Sequence, residues 1–331
     1  MVDRSLQIAL VTGGNTGIGY QTVKQLLLKN AKVYLAARSA EKATAAIKRL
    51  EEETGKSAIF IQVDLADLPS VRKAADAFLA RESKLDLLFN NGGVMTCPVE
   101  MLTAQGHDLQ FGTNVIGHFF LTELLLPALT KSHQETNVRA RILNTSSIGH
   151  QMAPGNGIDF VSLKGGPERD AWIKEKRNHH RRLYGESKMG NILVSKYFAR
   201  THANVLASCA VHPGGIKTEL SRYAMTICAG CIAQLTLALG TLRASGKPSG
   251  SYSYPPAPWV PPLFRKAMEL NVVRRMGAYT QLWGATMVSP EQINGQVRAP
   301  YAHLIVRYKR ASDRELEDKV IAYIREQIKG F

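Results

Sequence analysis

Cysteine is scarce: four residues in a chain of 331. Cys97, Cys209, Cys228 and Cys231 are too few and too scattered for a disulfide framework, so reduced thiols are expected. Cys228 and Cys231 have the spacing of half a zinc or redox site, but no second pair accompanies them, and no metal is expected. Acidic residues are also short. The 27 Asp and Glu face 42 Lys and Arg, and the resulting net charge of +15 favours anionic partners without choosing among them. The basic runs Lys174 to Arg182 and Arg265 to Arg275 lack aromatic interleaving at a nucleic-acid motif spacing, so they read as solvated faces and no nucleic acid is expected. No charged-then-apolar leader stands before Ile8, which points to a cytoplasmic protein. Long apolar runs are missing as well. Tyr223 to Leu242 is uncharged and reaches the length of a spanning helix, but Thr226, Gly230, Gln234, Thr236, Gly240 and Thr241 dilute it. Peripheral contact with an intracellular membrane and homo-oligomer assembly are left open.

What is present is a large apolar fraction, 45%, enough to build a sizeable core. In the first half of the chain short apolar runs rich in β-branched residues alternate with longer segments of helical period, the pattern of a parallel sheet covered by helices on both faces. The expected strands are Ile8 to Thr12, Lys32 to Ala37, Ala58 to Val63, Leu85 to Asn90, Arg141 to Thr145 and Val205 to Val211. The expected helices are Gly17 to Lys29, Ala40 to Glu53, Pro69 to Glu82, Thr103 to Lys131, Leu183 to Thr201 and, last, Asp313 to Ile328. This is an α/β, doubly wound Rossmann arrangement in a single domain spanning 1–331. After Val211 the alternation stops, and an irregular substrate-side insertion, a lid, is expected at about 219–290. Its Pro255 to Pro262 run excludes helix and central strand.

Directly after the first expected strand stands Thr12-Gly13-Gly14-Asn15-Thr16-Gly17-Ile18-Gly19, and a helical pattern opens behind it. Glycines there permit a tight turn and let the backbone approach a pyrophosphate, while the helix aims free amides and its positive end at the anion. A glycine pattern alone is weak; strand, turn and helix in this order make it a dinucleotide site.

The spacing of Gly13, Gly17 and Gly19 resembles that of the short-chain dehydrogenase/reductase family, and further matches follow in family order. They are Asp64-Leu65, Asn90-Asn91-Gly92-Gly93, Asn114, Ser146-Ser147, Tyr184 with Lys188, and Pro213-Gly214 followed by Ile216 and Thr218. Gly92 departs from the family's usual alanine, and glycine fits the same turn. The resemblance implies that Asp64 and Leu65 contact adenine, that Asn90 and Asn91 line the adenosine ribose side, and that Ile216 and Thr218 embrace the carboxamide and phosphates. The length between Ser147 and Tyr184, Ala36-Ala37-Arg38, and Gly277 to Trp283 resemble the retinol-dehydrogenase-like branch, which includes fungal reductases of secondary metabolism. That branch favours small apolar alcohols, aldehydes and ketones.

An NAD enzyme presents a carboxylate at the end of the second strand. Ala37 holds that place here, and the next residue, Arg38, can pair with a 2′-phosphate, with Lys42 adding charge one turn later. The expected cofactor is therefore NADP(H).

Hydride transfer to a carbonyl needs a group that protonates the developing alkoxide. Tyr184 can do so if a cation stabilises its phenolate, and Lys188, four residues on, shares its helical face. By resemblance Ser147 bonds the substrate oxygen, Tyr184 exchanges the proton, Lys188 binds the nicotinamide ribose and lowers the tyrosine pKa, and Asn114 holds a water of the proton relay. Ser146 is the rival for the serine role, and Asn114 has a plain structural alternative as a helix residue bonded to backbone. An NADP-dependent oxidoreductase acting on a small-molecule carbonyl or alcohol is expected. The competing class, a redox-inactive dinucleotide sensor or scaffold, would have no need of Ser147, Tyr184 and Lys188 together.

Overall fold

The computed structural model describes residues 7–176, 179–214, 218–221, 223, 272–298 and 309–331. Seven parallel strands form one sheet: β1 (Ile8–Thr12), β2 (Lys32–Ala37), β3 (Ile59–Gln62), β4 (Leu87–Asn90), β5 (Ala140–Thr145), β6 (Leu206–Val211) and β7 (Val297–Arg298). Their order across the sheet is β3-β2-β1-β4-β5-β6-β7. The order reverses between β1 and β4, so the connections leaving these two strands diverge and open a crevice at their carboxyl ends. This is the doubly wound Rossmann architecture.

Both faces of the sheet are covered, which is why the strands are apolar almost throughout. Successive side chains point to opposite faces, and β1 divides accordingly. Ile8 and Leu10 join a core with Phe78, Phe119, Phe198 and Ile324, contributed by α3 (Leu68–Leu79), α5 (Gly117–Thr136), α7 (His179–Thr201) and α10 (Arg314–Ile328). Ala9 and Val11 face a second core with Val23, Leu50, Ala278 and Leu282, from α1 (Gly17–Leu27), α2 (Ala40–Thr54) and α8 (Val272–Thr286). Shorter α-helices among the described residues are α4 (Leu109–Phe111), α6 (Pro167–Glu175) and α9 (Pro290–Ile293).

Local chemistry sets several boundaries. The Ser39 side chain accepts from the Lys42 amide at the start of α2, and Gly55, with φ of 69°, ends that helix in the left-handed region. The helix expected over Thr103 to Lys131 starts later and ends later. Asp108 caps α4 by accepting from the amides of Gln110 and Phe111, a π-helical turn over Gly112–Ile116 follows, and α5 runs on to Thr136. The residues before Asp108 are held instead in a tight turn, with the Thr103 amide donating to the His107 carbonyl and Gly106 at φ of 78°.

The stretch beyond Val211 is not irregular up to the last helix: α8, α9 and β7 return to the sheet layers. Ala278, Leu282 and Ala285 of α8 pack on α1 and the sheet at helical spacing, a stripe that Thr280, Gln281 and Gly284 obscure in the sequence. Residues 224–271 of the expected lid, including the proline run and the Cys228 and Cys231 pair, lie outside the described residues. Among the described residues no helix is long and apolar enough to cross a membrane.

Candidate active site

Because every strand is parallel, the loops leaving their carboxyl ends gather along one edge of the sheet. Gly13 takes φ of 64°, and a Cβ there would come within 2.9 Å of the Gly92 Cα, so the turns after β1 and β4 touch backbone to backbone. A Cβ at Gly19 would meet the Gly13 carbonyl at 2.3 Å and the Asn91 side chain at 2.6 Å. The turn from Gly13 to Gly19 therefore exists only without those side chains. It leaves Asn15, Thr16, Gly17 and Ile18 half-buried around the start of α1, whose cap, Thr16, makes no side-chain bond to the helix amides. Thr218 stands against the same turn, its methyl 3.2 Å from where a Gly17 Cβ would be. This cradle fits a pyrophosphate: an open backbone turn beside the positive end of a helix.

Ala37 ends β2 with no carboxylate, and the Arg38 side chain is 72% exposed, with Asp64 3.9 Å away in a loose ion pair. Lys42 is exposed on the next turn. The Leu65 side chain reaches 3.1 Å from a Cβ placed on Gly92, which sets it against the same crevice. Asn91 donates to the Thr12 carbonyl and accepts from Gln281, fixing the turn after β4. Asn90 does not line the crevice. Neighbouring residues of a strand face opposite ways, and the buried Asn90 amide donates to Thr122 and Asn144 in the interior. Pro213 and Gly214 follow β6 half-buried at the same edge, Gly214 with φ of 95°. Ile216 lies outside the described residues.

The two serines after β5 have separate fates. Ser146 is buried and donates to the Lys188 carbonyl at 2.8 Å. Ser147 is half-buried and accepts from the Gly149 amide at 3.0 Å. Gly149 lets the ring in: a Cβ there would lie 2.8 Å from Tyr184 Cε1. Burial pushes the Tyr184 hydroxyl up to about 12, with the Ser147 hydroxyl acting in the opposite sense. Lys188, one turn along α7, donates from Nζ to the Thr145 carbonyl at 2.9 Å, and burial pushes its ammonium down to about 8. The exposed Ile148 and Met152 flank this group and give the approach an apolar rim.

Asn114 sits in the π-helical turn, where its side chain clasps Val94. Oδ1 accepts from the Val94 amide, while Nδ2 donates to the Val94 carbonyl and to Ser187. The side-chain donors are thus spent on structure, in line with the backbone-bonding alternative for this residue.

Two residues in the network had no place in the sequence-based site. Gln281 of α8 is fully buried and uses both of its amide donors: it donates to Asn91 and to Thr145, and accepts from Thr22. It thereby joins the cofactor turn to the strand end whose carbonyl holds Lys188. His118 of α5 bonds Thr12. For His118 the available signal was a histidine beside the apolar run Phe119 to Leu121; for Gln281, flanked by Thr280, the sequence offered none.

A second, open groove of about 520 Å³ runs along the outer sheet edge between β3 and α3, lined by Phe60, Gln62, Lys73 and Arg81 among others. Ser147, Tyr184 and Lys188 take no part in it.

Fold and site together define a nucleotide-binding crevice with a Ser, Tyr and Lys group at its inner end. The chain belongs to the short-chain dehydrogenase/reductase family, whose members are oxidoreductases that use a nicotinamide dinucleotide. The family model for short chain dehydrogenase matches residues 7–167. A short-chain dehydrogenase/reductase of Armillaria gallica is 39% identical over 331 residues, covering 99% of this chain and 92% of the relative. Mouse retinol dehydrogenase 11 is 41% identical over 219 residues, 66% of this chain and 64% of that protein. Among solved structures, the complex of Pseudomonas aeruginosa RhlG with NADP aligns at a TM-score of 0.52 and 26% identity, over 66% of this chain and 77% of that one.

Proposed function

We propose that the protein is an NADP(H)-dependent oxidoreductase that moves hydride between the nicotinamide and a carbonyl or alcohol carbon of a small lipophilic substrate. The observation that carries the reading is the convergence of three side chains after β5: Ser147 bonds the Gly149 amide, the Tyr184 ring packs against Gly149, and Lys188 stands one helical turn from Tyr184. Gly13, Gly17, Gly19 and Thr218 would hold the pyrophosphate, Arg38 and Lys42 the 2′-phosphate, Asp64 and Leu65 the adenine, and Lys188 the nicotinamide ribose. When bound, NADPH supplies the hydride.

The chain's own residues supply the rest. Ser147 donates to the substrate oxygen and sets the carbonyl beside Tyr184. Tyr184, a neutral phenol at neutral pH, gives its proton to that oxygen as negative charge develops there. The phenolate left behind is stabilised by the Lys188 ammonium, and solvent restores the proton. In the oxidative direction the same groups act in reverse.

A lipophilic substrate agrees with the apolar rim of Ile148 and Met152 and with relatives named for retinol, an apolar alcohol. A cytoplasmic location, or peripheral attachment to an intracellular membrane, accompanies this reading. The test is NADPH oxidation with a panel of aldehydes, ketones and quinones. Turnover of apolar members is expected. NADPH binding without turnover of any member would replace this reading with that of a dinucleotide sensor.

A further inference from the structure

The buried imidazole of His118 lies outside the catalytic group yet touches the crevice's framework. Its Nδ1 is 3.0 Å from the Asn114 carbonyl, four residues back on the same helical path, and its Nε2 is 2.8 Å from the Thr12 hydroxyl. A carbonyl can only accept, so Nδ1 carries the proton. Burial holds the ring neutral by pushing its pKa down to about 4, with Lys188 acting in the same direction and the Asn114 carbonyl against it. In a neutral ring protonated at Nδ1, Nε2 can only accept.

The Thr12 hydroxyl has four neighbours and three bonding positions. Besides Nε2 they are the Phe89 carbonyl at 3.2 Å and the amides of Asn91 and Gly92, both at 2.9 Å. If the hydroxyl proton points to Nε2, both oxygen lone pairs are free for the two amides. If it points to Phe89, a lone pair faces the Nε2 lone pair and an amide loses its acceptor. The Asn91 N–H is also 2.9 Å from the Phe89 carbonyl, so it is shared between that oxygen and the Thr12 hydroxyl and leaves neither without a donor.

We propose that His118 is a positioning residue of the dinucleotide crevice: it fixes the direction of the Thr12 hydroxyl, which clamps the turn after β4 to the end of β1. The turns so clamped are those in contact at Gly13 and Gly92, where the strand order reverses. The consequence for cofactor affinity rests on the NADP(H) reading above; the clamp itself does not.

Two isosteric halves of histidine separate this role from simple filling of space. Gln at 118 can place its amide oxygen where Nε2 stood, whereas Asn keeps a donor toward the Asn114 carbonyl and leaves Thr12 without an acceptor. Amide hydrogen exchange of the protein without dinucleotide reads the clamp directly. In His118→Asn, exchange at Asn91 and Gly92 is expected to accelerate about tenfold or more, the equivalent of one lost hydrogen bond, with Leu10 and Leu88 unchanged. His118→Gln should restore protection, and NADPH affinity should follow the same order. Ring nitrogen shifts of the unsubstituted protein should report the Nδ1–H tautomer from pH 5 to 8. Equal exchange at Gly92 in all three proteins, equal impairment of the two variants, or an Nε2–H tautomer would overturn the proposal. Failure of the unsubstituted protein to bind NADPH would instead overturn the function proposed above and leave the exchange result standing.

Discussion

The Lys188 ammonium lies 5.6 Å from the centroid of the Tyr184 ring, on the same face of α7. Burial acts on the two groups in opposite senses, raising the phenol to about 12 and lowering the ammonium to about 8. Both shifts disfavour charge, yet at neutral pH the phenol is neutral and the lysine still mostly an ammonium, so the cation is in place when a reaction makes a phenolate. Tyr184→Phe removes the exchangeable proton and keeps the ring. Single-turnover reduction is expected to fall about a hundred- to ten-thousand-fold with NADPH affinity nearly unchanged. Lys188→Ala should weaken both, and a Phe variant with near-normal single-turnover rate would send the proton role elsewhere.

The exposed Arg38 guanidinium, beside a strand end lacking a carboxylate, should make NADPH bind far more tightly than NADH. A charge-assisted phosphate contact is worth roughly 1.5 to 3 kcal/mol, so Arg38→Ala should weaken NADPH about ten- to hundredfold and leave NADH almost unaffected. Parallel titrations of both dinucleotides check this. Equal affinities in the unsubstituted protein would remove the basis of the preference.

Gly19→Ala would place a methyl 2.3 Å from the Gly13 carbonyl, closer than any relaxed contact. The turn and α1 must separate, at a cost of about 1 to 3 kcal/mol in stability, and dinucleotide binding should be lost. Denaturant unfolding together with a binding titration measures both effects.

Glu186, two residues before Lys188, is fully buried. Its Oε2 accepts from Ser162, Oε1 has no hydrogen-bond partner, and burial, with Asp108 and Asp159 adding to it, pushes its pKa from 4.5 to about 8. A folded-state pKa above the unfolded one means the favourable contribution is complete below pH 4.5 and is lost as pH rises through 8. Thermal stability should therefore decline across that window. Glu186→Gln should flatten the decline, with its advantage largest near pH 8.5 and small near pH 5. Parallel melting curves for the two proteins across this range would contradict the assignment.

Gln281→Leu keeps the volume of a buried side chain but leaves the Asn91 and Thr145 oxygens without their shared donor. A stability loss of about 2 to 4 kcal/mol is expected, together with weaker dinucleotide binding, because the cofactor turn and the strand end are no longer tied. Unfolding and binding measured on one preparation separate the two parts.

Periodicity and local turn chemistry made six of the seven strands legible in advance: β1 and β2 match their expected bounds, β4, β5 and β6 differ by one or two residues at one end, β3 is one residue shorter at each end, and β7 was not expected. Those features depend on neighbours in the chain, as do the glycine turn and the i, i+4 spacing of Tyr184 and Lys188. Helix α8 was not legible, because its buried face carries Thr280 and Gln281, and the partners of Gln281 stand 136 to 259 positions away. Asn90 and Asn91 look equivalent in sequence; the pleat sends one into the interior and the other to the crevice. Ser146 and Ser147 are likewise adjacent and chemically identical, and only the packing of α7 against the end of β5 gives the Ser146 hydroxyl to the Lys188 carbonyl and leaves that of Ser147 on the Gly149 amide, against which Tyr184 packs. The sequence by itself determined which elements form and which chemical groups are present. The tertiary structure decided which of those groups meet, since hydrogen-bond partners of buried polar atoms are assigned by contacts across the fold and not by distance along the chain.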